Sequence, residues 1–574
     1  MFGLLVTVQL LLLAHNSRQS CSEGKPKDCQ EADFAPGTTL GGEGFDITKM
    51  EQKGVFVIDM NQWKRKDKTC LLCSNPFMEN KKQKLPLSVV DWRAKQSCSA
   101  KVSSSLHKSS ESLVSSKTSA IENNWKGNLD VNVGSKSGSL MLAGTQSKLA
   151  DYSMQKTIND KYSFSSQSMS CKFYGYRISS TPKLHREFRK ALKQLPEVYN
   201  AKSKQQFDGM IDKFGTHYIT KVQLGGSVQS VTSIRECEVN LQGLSVEEVQ
   251  ACLEVEASVS AGASVSSHAE SKHCKSEIKK SESKYSFSSS FNDRFTEIKG
   301  GHTTEPDLLF SAEKDPSAYK DWLNSLPQHP DIISYSLHPL HELLPAKSPP
   351  RLSLRAAISH YILERGLWKN CSTPCPAGVK SNHRDPCVCQ CHNHATVTPD
   401  CCPKEKGLAR VVITVQRATG LWGDQTTATD GYVKVYRGQT LWRSQQINNN
   451  NNPHFGHVID WGDVNLLQGN RVRFEMWDAD NQWDDDLLGA CERVLTAGAK
   501  QDVCNLQHGR LFVKWEVRCA PSLSGDLCTD YKPSPMSSRL RGWFKSRNAH
   551  PVPEALLQEW GVFKSSVSSN KTRV

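Results

Sequence analysis

The stretch Leu253 to Val265, LEVEASVSAGASV, alternates without a break. Leu253, Val255, Ala257, Val259, Ala261, Ala263 and Val265 form an apolar set; Glu254, Glu256, Ser258, Ser260, Gly262 and Ser264 form a polar or small one. A period of two places these sets on opposite faces of a strand, whereas a helix would mix them. Length adds a second constraint. Thirteen residues rise about 20 Å as a helix, too short for a hydrocarbon core of about 30 Å. As a strand they reach about 43 Å, or about 30 Å when tilted at 45°. The pattern therefore predicts a strand with one lipid-facing side. Shorter pieces recur at Leu129-x-Val131-x-Val133, Tyr162-x-Phe164 and Tyr285-x-Phe287-x-x-x-Phe291. They fall in two windows, Cys98 to Cys171 and Cys237 to Lys299, so two hairpins are expected. Open edges are not tolerated in lipid, so two hairpins need many further copies to close a barrel. The same alternation also suits a half-buried sheet in a soluble sandwich. Gly300-Gly301, after the second window, reads as a hinge or as a plain turn.

Alternation returns from Leu408, LARVVITVQ, in short strands broken by acidic turns. Four textures divide the chain: a long Ser-rich region 21–370, a cysteine-dense block 371–407, the short strands of 408–528, and a basic tail 529–574 with prolines at 533, 535, 551 and 553. Residues 1–20 open with the apolar run Phe2 to Ala14 and read as a signal peptide. No later run of 18 apolar residues predicts a membrane helix. The 574 residues, 37% apolar and 23% charged, describe several folded domains rather than a polytopic membrane protein or a disordered chain. A net charge of +13 suggests anionic partners, lipid headgroups or nucleic acid. The tail cations Arg539, Arg541, Lys545 and Arg547 read as a solvated linker rather than a nucleic-acid site. Twenty cysteines, an even number, belong to an oxidising compartment.

The block CSTPC-x11-CVCQC-x9-CC, from Cys371 to Cys402, resembles an EGF-like module. That resemblance implies Cys371–Cys387, Cys375–Cys389 and Cys391–Cys401, the staples a core this small needs. Cys402 is left over, with Cys237 as its expected partner. The rival is a zinc site on the C-x-C-x-C-H-x-H run from Cys387 to His394.

Asp424 and Asp430 stand before the strand Tyr432–Tyr436; Asp478 and Asp480 follow a later strand, with Asp484, Asp485 and Asp486 beyond. Carboxylates gathered at one end of a sandwich repel, and a calcium ion, which takes six to eight hard oxygens, converts them into an ordered set. Solvated acidic turns are the plain alternative. The spacing D-x5-D plus D-x-D-x5-D beside apolar strands resembles both calcium loops of the C2 domain. The resemblance implies Asp424, Asp430, Asp478, Asp480 and Asp486 as ligands, Asp484 and Asp485 as alternatives in register, and backbone carbonyls near Gly423, Thr427 and Ala428. Trp422 and Trp483 flank these loops and suit a membrane interface; the alternative is a pair of core tryptophans.

Phe214-Gly215-Thr216-His217-Tyr218, six residues, then Gly225-Gly226 resembles the signature of the membrane-attack-complex/perforin (MACPF) family. With an EGF-like module and one C2 domain behind it, residues 21–528 are similar to that family throughout. The implied fold is α+β: a bent antiparallel sheet flanked by two helical clusters that refold to β-hairpins, then a disulfide-rich module and an all-β C2 sandwich. The signature is architectural rather than catalytic. Family order further implies Cys21–Cys73, Cys29–Cys70, Cys98–Cys171, Cys491–Cys504 and Cys519–Cys528. Cys252 and Cys274 look additional; a Cys252–Cys274 bond would tether the segment that must extend, or lie across its hairpin. Asn370-Cys371-Ser372 and Asn570-Lys571-Thr572 are glycosylation sequons, with a glycan at Asn570 expected to hinder assembly until the tail is clipped.

The resemblance implies a secreted, calcium-dependent pore-former, stored in cytolytic granules. It would dock on target-cell phospholipid, assemble into rings, insert as a multi-pass β-barrel and pass granule proteases, with no nucleic-acid partner. Two alternatives stay open: a calcium-dependent adhesion or trafficking protein that never inserts, and a complement-like lytic component. The latter would carry thrombospondin or LDL-receptor modules, and neither is seen. G-x-S-x-G, H-E-x-x-H and G-x4-G-K-[ST] are absent, so no enzyme is expected.

Overall fold

A computed structural model describes residues 21–118, 121, 125–131, 138–157, 160–262, 274, 287–312, 314–370, 379–380, 389–391, 395–400, 402–423, 427–480, 484–533 and 550–564. The expected signal peptide, Asp424, Trp483, Ala263, Val265, Asn570 and the EGF cysteines Cys371, Cys375, Cys387 and Cys401 lie outside them, as do the side chains of Asn370 and Cys389.

The first domain contains β1 (Cys21–Gly24), β2 (Glu43–Asp46), β3 (Glu51–Phe56), β4 (Cys70–Asn75), β5 (Lys81–Lys84), β6 (Val89–Cys98), β7 (Ser103–His107), β8 (Gly138–Met141), β9 (Tyr162–Ile178), β10 (His217–Arg235), β11 (Arg294–Lys299), β12 (Asp331–Pro339) and β13 (Leu367–Asn370). Its frame is the antiparallel pair β9 and β10, 17 and 19 residues long. β6 and β7 flank β9 in succession, and β12 and β11 flank β10. The register slips between Leu224 and Gly225, at the signature glycines. A Cβ on Gly225 would lie 1.9 Å from the Cys171 carbonyl oxygen, and one on Gly226 2.3 Å from Leu326. These glycines let two backbones and a helix meet where the long strands bend. Gly300 closes on the same spot, its φ of +71° placing a would-be Cβ 2.3 Å from the Gly225 carbonyl.

Below the bend a large apolar core joins the sheet to the Lys204–Phe214 and Pro349–Glu364 helices. Above it, each expected window forms a helical cluster. The Ser110–Thr118 and Lys148–Thr157 helices cover one face through Leu113 and Leu149, against Phe164 and Val231. The Val246–Ser260 helix covers the other through Val249, Cys252 and Leu253, against Ile234. Ser245 and Glu248 form a reciprocal capping box that starts this helix. Its buried residues, Val249, Cys252, Leu253, Ala257 and Ser260, recur at helical spacing. Leu253 to Ser260 is therefore helical in this state, and a half-buried soluble sheet is not what the alternation encodes here.

β14 (Val379–Lys380) and β15 (Cys389–Gln390) pair in the small module. The C2 sandwich has β16 (Leu408–Thr419), β17 (Gly431–Arg437), β18 (Thr440–Arg443), β19 (His454–Asn465), β20 (Arg471–Asp478), β21 (Asp486–Val494), β22 (Gly498–Leu506) and β23 (Gly509–Cys519). Its sheets run β19-β16-β23-β22 and β18-β17-β20-β21, with apolar faces meeting between them. β24 (Leu523–Ser524) and β25 (Asp530–Tyr531) form a short closing pair.

The tail cations Arg539, Arg541, Lys545 and Arg547 lie outside the described residues, but the segment 550–564 is docked. β26 (His550–Pro551) adds to β13, which pairs on its other side with β8. Val552 and Val562 are buried, and Phe563 sits 5.0 Å from the Tyr199 ring and 5.1 Å from that of His360. The apolar residues Val552, Val562 and Phe563 dock this segment on the first domain.

Candidate membrane-docking and membrane-inserting sites

Antiparallel pairing gathers the acidic positions at one rim of the sandwich. Asp430 precedes β17, Asp478 ends β20 opposite Gly431, and Asp486 opens β21 opposite Asp478. Asp478 is 2% exposed. Its carboxylate accepts the Asp430 amide at 2.7 Å, and the Asp430 carbonyl accepts the Ala479 amide at 3.0 Å. The two loops thus brace each other. The Asp430 carboxylate accepts the Asn449 amide at 2.6 Å. A Cβ on Gly423 would lie 1.8 Å from Asp478 Oδ2, so the first loop passes over that carboxylate as only glycine allows. Asp480, Asp484 and Asp486 are exposed, as is Thr427, while Ala428 is half-buried. Asp485 is engaged elsewhere, accepting the Tyr432 hydroxyl at 2.6 Å. Burial, with Asp485 beside it, pushes that phenol up to about 12.

Among the described residues no three His, Cys, Asp or Glu side chains stand close enough to hold a metal ion. The donor chemistry nonetheless fits calcium: hard oxygens only, one nearly buried carboxylate, and a glycine that admits a backbone to it. Trp422 is 55% exposed and stacks on His508 at 4.3 Å, so it is not a core residue.

The sequence reading missed the asparagine run after Ile447. Asn451 Oδ1 accepts the Thr429 amide at 2.9 Å, Asn452 Oδ1 accepts the Gly420 amide at 3.0 Å, and the Asn450 amide donates to the Thr429 carbonyl at 2.8 Å. Short side chains with both donor and acceptor fix the acidic loop from beneath. Five consecutive asparagines were the available signal.

The signature residues lock the sheet to the first window. Phe214 is fully buried and packs on Phe188. Gly215 ends its helix at φ +85°, with a would-be Cβ 2.5 Å from the Phe45 carbonyl. Thr216 Oγ1 accepts the Ile47 amide at 3.1 Å, and the half-buried Tyr218 follows on β10. His217 is fully buried; its Nε2 donates to the Trp125 carbonyl at 2.9 Å and its Nδ1 lies 2.7 Å from the Thr216 hydroxyl. Burial pulls this imidazole down to about 4, so it is neutral at physiological pH. Trp125 belongs to the first window.

Both clusters are held by small apolar patches and polar clasps. Lys117 pairs with Glu297 and donates to Gln229. Tyr152 hydrogen-bonds Ser233 at 2.6 Å, and Lys156 pairs with Asp293 at 2.6 Å. Gln250 donates to Ser104 at 3.1 Å on the other face. Of the proposed hairpin positions, Leu253 and Ala257 are buried, Val255 and Ala261 are half-buried, and Val259 is 54% exposed.

Disulfides join Cys21–Cys73, Cys29–Cys70, Cys98–Cys171, Cys237–Cys402, Cys252–Cys274, Cys491–Cys504 and Cys519–Cys528. Cys237–Cys402 ties the end of β10 to the small module. Beside it, Lys161 is buried between Glu236 and Asp400.

The MAC/Perforin domain family matches residues 35–369, the Perforin-1-like EGF domain residues 370–404 and the C2 domain residues 409–508. Perforin-1 of Homo sapiens is 41% identical over 517 residues, covering 89% of this chain and 93% of that protein. Perforin-1 of Mus musculus is 38% identical over 527 residues, covering 91% and 95%. The complement component C8 alpha chain of Oryctolagus cuniculus is 26% identical over 219 residues, 35% of each chain.

Proposed function

The chain belongs to the MAC/Perforin family, and on that premise we propose that it is a secreted, calcium-dependent pore-forming protein. The supporting observation is topological. Each helical cluster links two neighbouring antiparallel strands: β7 to β9 in one window, β10 to β11 in the other. Both links leave the same end of the sheet. Straightening either one continues an existing strand pair as a hairpin; in the first window it also releases β8 from β13. The second cluster lies largely in a satellite apolar patch, the kind of structure that opens before a main core does; in the first, the helices sit on such a patch while Ile121, Trp125, Leu129, Val131 and Leu142 join the main core.

Calcium supplies positive charge to the Asp430, Asp478, Asp480 and Asp486 rim, with Asp424, Asp484 and Asp485 as further donors. The loops then meet anionic and zwitterionic headgroups without repulsion, and Trp422 and Trp483 enter the interface. Docked copies meet edge to edge. Among the described residues β6, β7 and β11 each pair on one side only, which leaves edges for neighbouring subunits. Four extended strands per chain, in a ring of many chains, close a large β-barrel in the target-cell membrane. Its cargo is proteases of cytolytic granules, where the protein is stored before release. Acid opposes docking, because protonated carboxylates do not hold calcium. No catalytic step is involved. A glycan at Asn570, six residues after the docked segment 550–564 in sequence, restrains assembly until the tail is clipped.

The alternative is a calcium-dependent adhesion or trafficking protein that binds lipid without insertion. Dye release from phospholipid vesicles during a calcium titration separates the readings. Leakage that rises with calcium in the wild type and falls in Asp430→Ala supports the pore-former. Vesicle binding without leakage overturns it in favour of adhesion.

A further inference from the structure

The register of the second hairpin is already written in the soluble sheet. β10 and β11 pair without a bulge from Ser227–Lys299 to Thr232–Arg294. Each step forward along β10 is one step back along β11. Position 252 is twenty steps beyond 232, and position 274 is twenty steps before 294, so the continued ladder brings Cys252 directly opposite Cys274. These two residues are bonded now, with Cα atoms 5.4 Å apart, while Cys252 is still helical. Directly opposite residues of an antiparallel pair stand about 4.5–5.5 Å apart, within the span a disulfide bridges. We infer that Cys252 and Cys274 are positioning residues whose bond persists from helix to hairpin and sets the strand register of the second membrane hairpin.

Three further observations agree. The fold already bridges direct cross-strand partners at Cys98–Cys171 and Cys21–Cys73. The continued register also pairs odd positions with odd ones. Leu241, Leu253, Val255, Ala257 and Val259 then share a face with Tyr285, Phe287 and Phe291, and Gln242, Glu248, Lys280 and Lys284 share the other; of the charges, Glu247, Lys275, Glu277 and Lys279 fall on the first face, so the segregation is partial. A single bulge between Thr232 and Cys252 would turn the two apolar sets to opposite faces and point the sulfurs apart. Finally, the turn falls at Gly262 to Ser264, inside the alternating run. Leu253 to Ala261 is then the tip of one strand and Val265 opens the return, so the thirteen-residue run is not a single crossing.

The first window obeys the same rule. Twenty-four steps from His107–Phe164, the β7–β9 register brings Val131 opposite Leu140; two steps earlier Leu129 meets Leu142. The turn falls among Gly134 to Gly138. That window carries no second cysteine pair between its strands, so the bond belongs to the second hairpin alone. It neither forms nor breaks during insertion, and no reductant is required. Closing the loop beforehand also removes the entropy of bringing the two strands together.

This inference rests on the pore-forming reading, and two readouts separate them. Pores are assembled on phosphatidylcholine vesicles with calcium, without reductant, then alkylated, digested and mapped by mass spectrometry. A Cys252–Cys274 linked peptide is expected; alkylated thiols at both positions overturn the proposal. Register is read in the variant pair Gln242→Cys with Lys284→Cys, ten steps nearer the sheet. It is expected to bridge on mild oxidation after insertion, whereas Gln242→Cys with Ser286→Cys is expected not to. The opposite preference overturns the register and leaves pore formation standing. A fluorophore on Ser258→Cys or Val259→Cys, tested against a lipid-borne quencher, reports insertion itself. Quenching is expected at 259 and weakly at 258; none at either site overturns the hairpin and the register with it.

Discussion

Replacing Val255 by arginine separates the two lives of one segment. In the soluble fold Val255 is half-buried at the border of the small cluster around Val249 and Leu253. An arginine there runs its stem along the helix and keeps its head in water, at a cost of about 1 kcal/mol. In the barrel the same position faces lipid seven residues short of the turn at Gly262, about 17 Å in depth for a strand tilted at 45°, close to the middle of a hydrocarbon core of about 30 Å. An arginine at the bilayer midplane costs about 2–4 kcal/mol. At about 3 kcal/mol the inserted state of one subunit falls about a hundredfold, and every subunit of a ring bears the same cost. Ser258→Arg is the control, three residues away on the opposite face, where polar groups line the lumen. The assay combines thermal unfolding, calcium-dependent vesicle binding and dye release for both variants. Both are expected to fold and bind; Val255→Arg should lose leakage and Ser258→Arg should keep most of it. Leakage from Val255→Arg equal to wild type refutes the facing assignment, and equal loss in both variants refutes it too.

Other outcomes follow from single residues. His217 titrates near 4 in the fold and near 6.5 when unfolded. Between those values the unfolded chain binds a proton that the native imidazole refuses, so stability present above 6.5 is lost as pH falls toward 4. From pH 7 to pH 5 the loss is about 2 kcal/mol. His217→Gln, which keeps a donor for the Trp125 carbonyl, should show a shallower fall in thermal midpoint over that range; parallel falls would discredit the linkage. Asp430→Ala should raise the calcium needed for half-maximal vesicle binding about tenfold while leaving the thermal midpoint of the first domain unchanged, which calorimetry resolves. Gly225→Ala forces a Cβ to 1.9 Å from a backbone oxygen and should cost about 3 kcal/mol or more; normal secretion and melting would show that the bend has slack. Removing residues 550–574 uncovers β13 and should speed leakage without changing calcium-dependent binding, as stopped-flow dye release would reveal.

Much of this molecule was legible because local chemistry leaves local marks. Paired glycines marked the bend, since no other residue fits where Gly225 meets the Cys171 carbonyl. Aspartates at strand ends marked the rim where Asp430, Asp478 and Asp486 come together, because antiparallel pairing brings those strand ends side by side. The alternation of Leu253 to Val265 marked a strand, yet the soluble fold makes a helix of Leu253 to Ser260. A capping box, helical spacing of Val249, Cys252, Leu253 and Ala257, and a patch offered by Ile234 decide that state, and period-two counting weighs none of them. Other features arise between segments far apart in sequence. The asparagine brace needs Asn449 to Asn452 beneath Thr429 and Asp430; the docked tail needs Tyr199 and His360 to receive Phe563. Register has the same origin. The spacing of Cys252 and Cys274 was plain in the chain, but its meaning required knowing that Thr232 lies opposite Arg294. Composition and periodicity determine what each segment is able to be; which neighbour it meets, and so which of its two conformations it adopts, is a property of the assembled fold.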